Sequence, residues 1–379
     1  MAHSNRIQVI DLMRGIAVIV MVMGHSIDAV LNMDVRSTEL FRLYDAVRGF
    51  TAPMFLFVSG LTFAIATEKR WAEFLTLTRP LLRRMLKILL VLAIGYALHF
   101  PFFSFTKLVN EAGPLEMEQF FQVDVLHCVA GSLLFLHLLV VLTRTPRRFA
   151  ITTLALATGI VITAPFIWNM DLASALSPVV APYFNQKQMS IFPLFPYAAF
   201  LLVGAVVGHF FLAATKTDRA RAFFAGILCL GVTAGVCGLL FDPIPVSLYP
   251  PHDFWKTSPN FFLIRLGIVM VVTAGVYFLR RVPSLVGRLL AVLGQASLFV
   301  YVVHLIVVYG SAANDGLTQA VGRTLHYPQA FGIALLVLCG MLVVVHAWNY
   351  MRAHYSFSSK FVQAAFASTL LFYFFTKPY

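Results

Sequence analysis

The feature that most constrains this chain is a succession of apolar runs, each long enough to cross a bilayer. They fall at residues 7–31, 50–67, 81–103, 123–142, 149–168, 191–214, 220–241, 260–279, 289–311 and 330–351. A bilayer core takes about 20 apolar helical residues to span. Inside it, every backbone N–H and C=O must be paired within the protein. The expected fold class is therefore all-α: a polytopic membrane protein with about 10 or 11 transmembrane helices around a polar cavity, formed as a single domain over residues 1–379. A last run at 361–375 is short for a crossing, and is left as a span, a re-entrant segment or an interfacial helix.

Composition agrees, since 60% of residues are hydrophobic and 12% charged, against about 25% charged in a soluble domain. A net charge of +12 would suit a nucleic-acid partner if it formed one basic patch. Instead the positive residues collect in alternate loops: Lys69, Arg70, Arg79, Arg83, Arg84 and Lys87; then Arg144, Arg147 and Arg148; then Lys216, Arg219 and Arg221; then Arg280, Arg281 and Arg288. Intervening loops are neutral or acidic, as at Glu111, Glu116 and Glu118. Lys and Arg gather on the cytoplasmic side, so the N-terminus is expected in the cytoplasm, with no nucleic-acid partner. The first run is too long and too often interrupted by charge for a signal peptide, and is expected to be retained as a helix. Cys128, Cys229, Cys237 and Cys339 sit in apolar runs without pairing or ligand spacing and are read as packing residues.

The first run nonetheless carries Asp11, Arg14, His25 and Asp28. Each charge inside a spanning helix costs about 2.5–3.5 kcal/mol on insertion scales, so such groups face a cavity or a partner. Arg14 and His25 are eleven positions apart, which returns them to one helix face roughly 16 Å apart along the axis. With the orientation above, His25 lies in the outer half and Arg14, with Asp11 one turn before it, in the inner half. Asp28, one turn beyond His25, is placed to hydrogen-bond its imidazole. The fourth run brings Asp124 and His127, three apart, to the same outer level; the eighth brings Arg265 and the ninth His304. One shared layer of ionisable groups is expected.

Plainer readings exist for each group. His99, His137, His209 and His346 sit near run ends and read as packing residues bonded to nearby carbonyls. Asp11 and Arg14 form either a boundary ion pair or part of the site; Asp124 is either a helix-start cap or a functional carboxylate. His127 and His304 divide evenly between structural and functional roles. No His–His spacing beside a Glu appears, so no metal is expected. A neutral imidazole held by a carboxylate is a general base near neutral pH. From these residues alone, acyl or group transfer, proton-coupled transport and lipid handling all remain open, with no nucleophile elbow, P-loop or dinucleotide fingerprint to decide among them.

The opening RIQVIDLMRGIAVIVMVMGHS resembles the first helix of the transmembrane acyltransferase superfamily, where an Arg, ten residues and a His recur; Arg14 and His25 fit that spacing. APMFLFVSGLTFAIA is similar to the second helix of these families through Pro53, Ser59 and Gly60. VDVLHCVAG, IFPLFPYAAFLLVGAVVGHF and FWKTSPNFFLIRLGI resemble bacterial relatives of heparan-alpha-glucosaminide N-acetyltransferase more than the acyltransferase-3 branch. No counterpart of that enzyme's luminal domain is seen. The resemblance implies an acyltransferase of a bacterial inner membrane that takes an acetyl or other short acyl group from cytoplasmic acyl-CoA to an amine or hydroxyl on a sugar or glycolipid outside. A transporter or flippase using the same charges is the alternative. By position, His25 is the implied catalytic residue, Asp28 or Asp124 orients its ring, and Arg14 with Asp11 holds the acetyl-CoA. Arg265, His304 and His127 then serve the acceptor or oxyanion. Direct transfer and an acyl-His intermediate stay open, as does oligomeric state, a homodimer included.

Overall fold

The structure, a computed structural model, describes residues 8–102, 104–242, 248–280, 285–311 and 314–377. Arg6, Ile7, Phe103 and Arg281, which bound or flank the runs above, lie outside the described residues. In chain order the helices are α1 (Gln8–Val30), α2 (Glu39–Arg48), α3 (Thr51–Glu68), α4 (Arg79–Leu98), α5 (Phe105–Glu111), α6 (Pro114–Phe121), α7 (Val125–Thr143), α8 (Pro146–Asn169), α9 (Leu194–Lys216), α10 (Ala220–Phe241), α11 (Phe254–Thr257), α12 (Pro259–Leu279), α13 (Leu285–Gln295), α14 (Ser297–Tyr309), α15 (Leu317–Ala320), α16 (Tyr327–His354) and α17 (Ser356–Thr376). Their starts follow local chemistry. Thr38, Thr78, Ser104, Thr145 and Ser258 each accept a first-turn amide with the side-chain oxygen, and Pro146 and Pro259 open helices where no N–H is missed.

The protein is an all-α polytopic membrane protein. Among the described residues, 8 helical stretches are long and apolar enough to cross a membrane: α1, α2 with α3, α7, α8, α9, α10, α12 and α16. The bent pair α13–α14 raises this to 9 if it forms one span. The expected 10 or 11 is reduced for physical reasons. The third run becomes α4, whose early turns carry Arg79, Arg83, Arg84 and Lys87, leaving no uniformly apolar stretch. The last run becomes the end of α17, apolar only over Ala367–Thr376. On α10 and α16 only 22% of the apolar window is buried, so Leu230, Leu239, Leu336 and Val343 point outward, as lipid-facing side chains do.

By its contacts the chain forms two compact units. One comprises Met1–Thr51, Phe100–Glu116 and Val282–Tyr379; the other comprises Ala52–His99 and Met117–Arg281. In the first unit α1 is the axis, packed by α13, α14, α15, α16 and α2. Its seam with α13 depends on two glycines. A Cβ at Gly15 would collide with the Leu290 carbonyl, and one at Gly294 with the Asp11 carbonyl, so the backbones meet without side chains between them. Beyond Gly294 the ninth run does not continue straight. Ala296 leaves helical geometry (φ −102°, ψ 18°), and α13 and α14 diverge by 83°. Asp11 Oδ2 accepts a bond from Gln295 Nε2 at 2.9 Å, which ties α1 to the bend.

In the second unit α7 and α9 pack with α8, α4 lies along α7, and α10 pairs with α12. Gly231 of α10 faces the Gly267 carbonyl of α12, and the Phe224 and Tyr277 rings stack at 3.9 Å.

Candidate active site

His25 lies on α1 and is partly exposed. Its Nδ1 is 2.8 Å from Tyr309 Oη at the end of α14, and the two rings meet edge-on. The His304 ring stands 5.4 Å away, centroid to centroid. His304 is fully buried and donates its Nδ1–H to the Val300 carbonyl at 2.8 Å. That bond fixes its tautomer and leaves a bare Nε2, which has no hydrogen-bond partner among the described residues. His25 is held differently. When its Nδ1–H is donated to Tyr309 the lone pair is on Nε2; when Tyr309 donates instead, Nε2 carries the proton. Only the first arrangement leaves Nε2 able to take a proton, and the Nδ1–H bond to Tyr309 persists once it has done so.

Within this unit the partner at His25 Nδ1 is Tyr309 where Asp28 was expected. The Asp28 carboxylate is drawn toward the segment after α1 instead: Arg36 Nη1 meets its Oδ1 at 2.7 Å and Arg48 Nη1 at 3.3 Å. Arg36 Nη2 also donates to the Asp28 carbonyl at 2.8 Å, and Tyr44 Oη donates to the Gly24 carbonyl at 2.8 Å. These bonds fasten α2 over the end of α1 next to His25. Asp28→Ala is expected to remove about 1.5 kcal/mol of stability, read as a lower melting temperature in detergent, with a smaller loss of activity than any change at His25.

Arg14 is half-buried on α1. Asp11, one turn earlier, is buried and engaged by Gln295, which makes it part of the α1–α13 seam.

The remaining candidates belong to the second unit. Asp124 caps α7, with Oδ1 accepting from the amides of Leu126 at 2.8 Å and His127 at 3.1 Å. The same oxygen takes the Nδ1–H of His127 at 2.7 Å. Its role as a helix-start cap is therefore real, and the carboxylate–imidazole pair is built on that cap. His127 is fully buried beneath the Tyr96 ring at 4.3 Å. Tyr96 Oη in turn meets Tyr183 Oη at 3.1 Å, and burial raises the Tyr183 phenol above its ordinary range, keeping it protonated. Arg265 on α12 lies with its guanidinium 4.2 Å from the Phe261 ring and beside Tyr197. His25 and His304 thus belong to the first unit, and Asp124, His127 and Arg265 to the second.

Of the histidines read as packing residues, His99 and His346 do bond carbonyls one turn back, Gly95 and Leu342, each at 2.9 Å. His209 does not: its Nδ1 meets the Glu68 carboxylate at 2.5 Å. His137 packs edge-on against Phe63 and Phe74. Tyr309, Arg36, Arg48 and Gln295 were not legible as site residues. The one signal for the arginines was positive charge in a segment placed outside by the loop pattern, balanced there by Asp34, Glu39 and Asp45.

An imidazole pair with one ring partly exposed and able to take a proton is chemistry for activating a hydroxyl or amine. No curated protein matches the chain. A family model does: the acyltransferase domain of the acyltransferase-3 type, over residues 7–345. With its spanning helices, the chain therefore belongs to the acyltransferase-3 family and is a membrane acyltransferase.

Proposed function

We propose that the protein moves an acetyl or other short acyl group from cytoplasmic acyl-CoA to a hydroxyl or amine on a sugar or glycolipid at the outer face, with the N-terminus in the cytoplasm of a bacterial inner membrane. The observation that carries this reading is the His25–Tyr309 bond at 2.8 Å with the bare His304 Nε2 in the adjoining ring. His25 Nε2 takes the proton of the acceptor as its oxygen or nitrogen attacks the thioester carbonyl. The new C–O or C–N bond forms, the C–S bond breaks, and the CoA thiolate leaves with the proton returned from His25. His304 Nε2 accepts a hydrogen bond from the acceptor and aligns it. Arg14, eleven residues along the same helix face, is the group assigned to the anionic donor.

If the resemblance read in VDVLHCVAG and the later runs holds within the acyltransferase-3 family, an amino-sugar nitrogen is the first acceptor to test. A panel of amino sugars, neutral sugars and glycolipids incubated with acetyl-CoA and purified protein should yield one class of acylated product. No product from any acceptor with folded protein would reject the proposal. Tyr309→Phe removes one hydrogen bond worth about 0.5–1.5 kcal/mol. It should therefore lower kcat roughly 3- to 10-fold and displace the pH–rate profile, with KM for acyl-CoA unchanged.

A further inference from the structure

Outside the His25 centre, the second unit gathers another set of ionisable groups. One ligand atom from each of His99, Asp124 and His127 lies within 4.8 Å of the others. Sequence spacing could not reveal this set, because His99 comes from the end of α4 and the other two from the start of α7.

Three features distinguish it from ordinary packing. First, both imidazoles are oriented by an oxygen acceptor at Nδ1: the Gly95 carbonyl at 2.9 Å for His99 and the Asp124 carboxylate at 2.7 Å for His127. Carbonyl and carboxylate partners of this kind fix metal-binding imidazoles. Second, His127 is fully buried, yet its Nε2 has no hydrogen-bond partner among the described residues. A buried ring nitrogen is costly to leave unsatisfied, and a bound cation would satisfy it. Third, α4 has been cleared for this ring: a Cβ at Gly95 would stand 2.8 Å from His127 Cε1 and 3.1 Å from Nε2.

We propose that His99 and His127 bind a divalent transition-metal ion of the Zn²⁺ class, joining the end of α4 to the start of α7, with Asp124 at His127 Nδ1 as the carboxylate that orients that ligand. Two imidazoles suit such an ion and leave its other positions to water. The ion is a clamp on this unit and takes no part in the transfer step assigned to His25.

The test uses tag-free full-length protein in detergent, stripped with chelator and then titrated with Zn²⁺ or Co²⁺. The wild type should bind about one equivalent, show the visible absorption of Co²⁺ in a low-coordinate nitrogen–oxygen site, and melt at a higher temperature with metal. His99→Ala, a change at a partly exposed helix end, should weaken binding at least tenfold while the stripped variant melts like stripped wild type. His127→Gln should do the same to binding. Absence of saturable binding to the wild type would overturn the proposal, as would variants that bind as tightly as it does. Because every readout is metal occupancy or melting, failure here would not bear on acyl transfer.

Discussion

His25→Ala is expected to lower acyl transfer by about 10²–10⁴-fold, the contribution typical of a positioned general base, while the protein keeps its fold. The asymmetry follows from the surroundings. His25 is only partly buried, and its side chain is held by the bond to Tyr309. Its removal therefore costs about 1 kcal/mol of stability. No neighbour can substitute for it. His304, whose part is to align the acceptor, stands 5.4 Å away ring to ring, and Tyr309 lies on the opposite nitrogen of His25. Transfer rates and melting curves measured on the same preparation check both halves. A variant with wild-type rate would remove His25 from the mechanism, and an unfolded variant would show that its contribution to stability is much larger than one hydrogen bond.

Gly294→Val carries the largest expected effect on stability, about 3 kcal/mol or more. Overpacking usually costs 1–3 kcal/mol because side chains yield, but here the obstacles are main-chain atoms. An added Cβ would meet the Asp11 carbonyl oxygen, its carbon at 2.9 Å and the Gly15 amide nitrogen at 2.9 Å. Relief requires α13 to move off α1, which disrupts the Gln295–Asp11 bond and shifts the α13–α14 bend that carries His304. Loss of activity and loss of thermal stability should therefore appear together. Gly332→Ala in α16 is the control: nothing lies within 4 Å of its Cβ, so helix propensity should make it neutral or stabilising by up to about 1 kcal/mol. Equal melting temperatures for the two variants would show that the α1–α13 seam is not as tight as described.

The uneven legibility of this protein has a physical basis. Helix existence was readable because spanning length and apolarity are local properties, and residues 220–241 and Ala220–Phe241 coincide. The bend at Ala296 was not, since both halves of the run are apolar and hydropathy carries no direction. The pairing of His25 with His304 required only that two histidines share a depth. Its actual orienting partner, Tyr309, differs from the carboxylate expected because Asp28, one turn along, is claimed by Arg36 and Arg48 from the following segment. Sequence position could rank Asp124 and His127 with His25 and offered the helix-start cap that Asp124 provides to α7, but it could not foresee that His99 comes to this pair from the end of α4.

The central claim, that this membrane protein transfers an acyl group from CoA, is tested most directly by wild-type protein in proteoliposomes supplied with radiolabelled acetyl-CoA and an acceptor panel. The account predicts acceptor-dependent release of free CoA thiol, matched one for one by labelled acceptor. Thiol release indifferent to acceptor with no labelled product, or no release from folded protein, would contradict it.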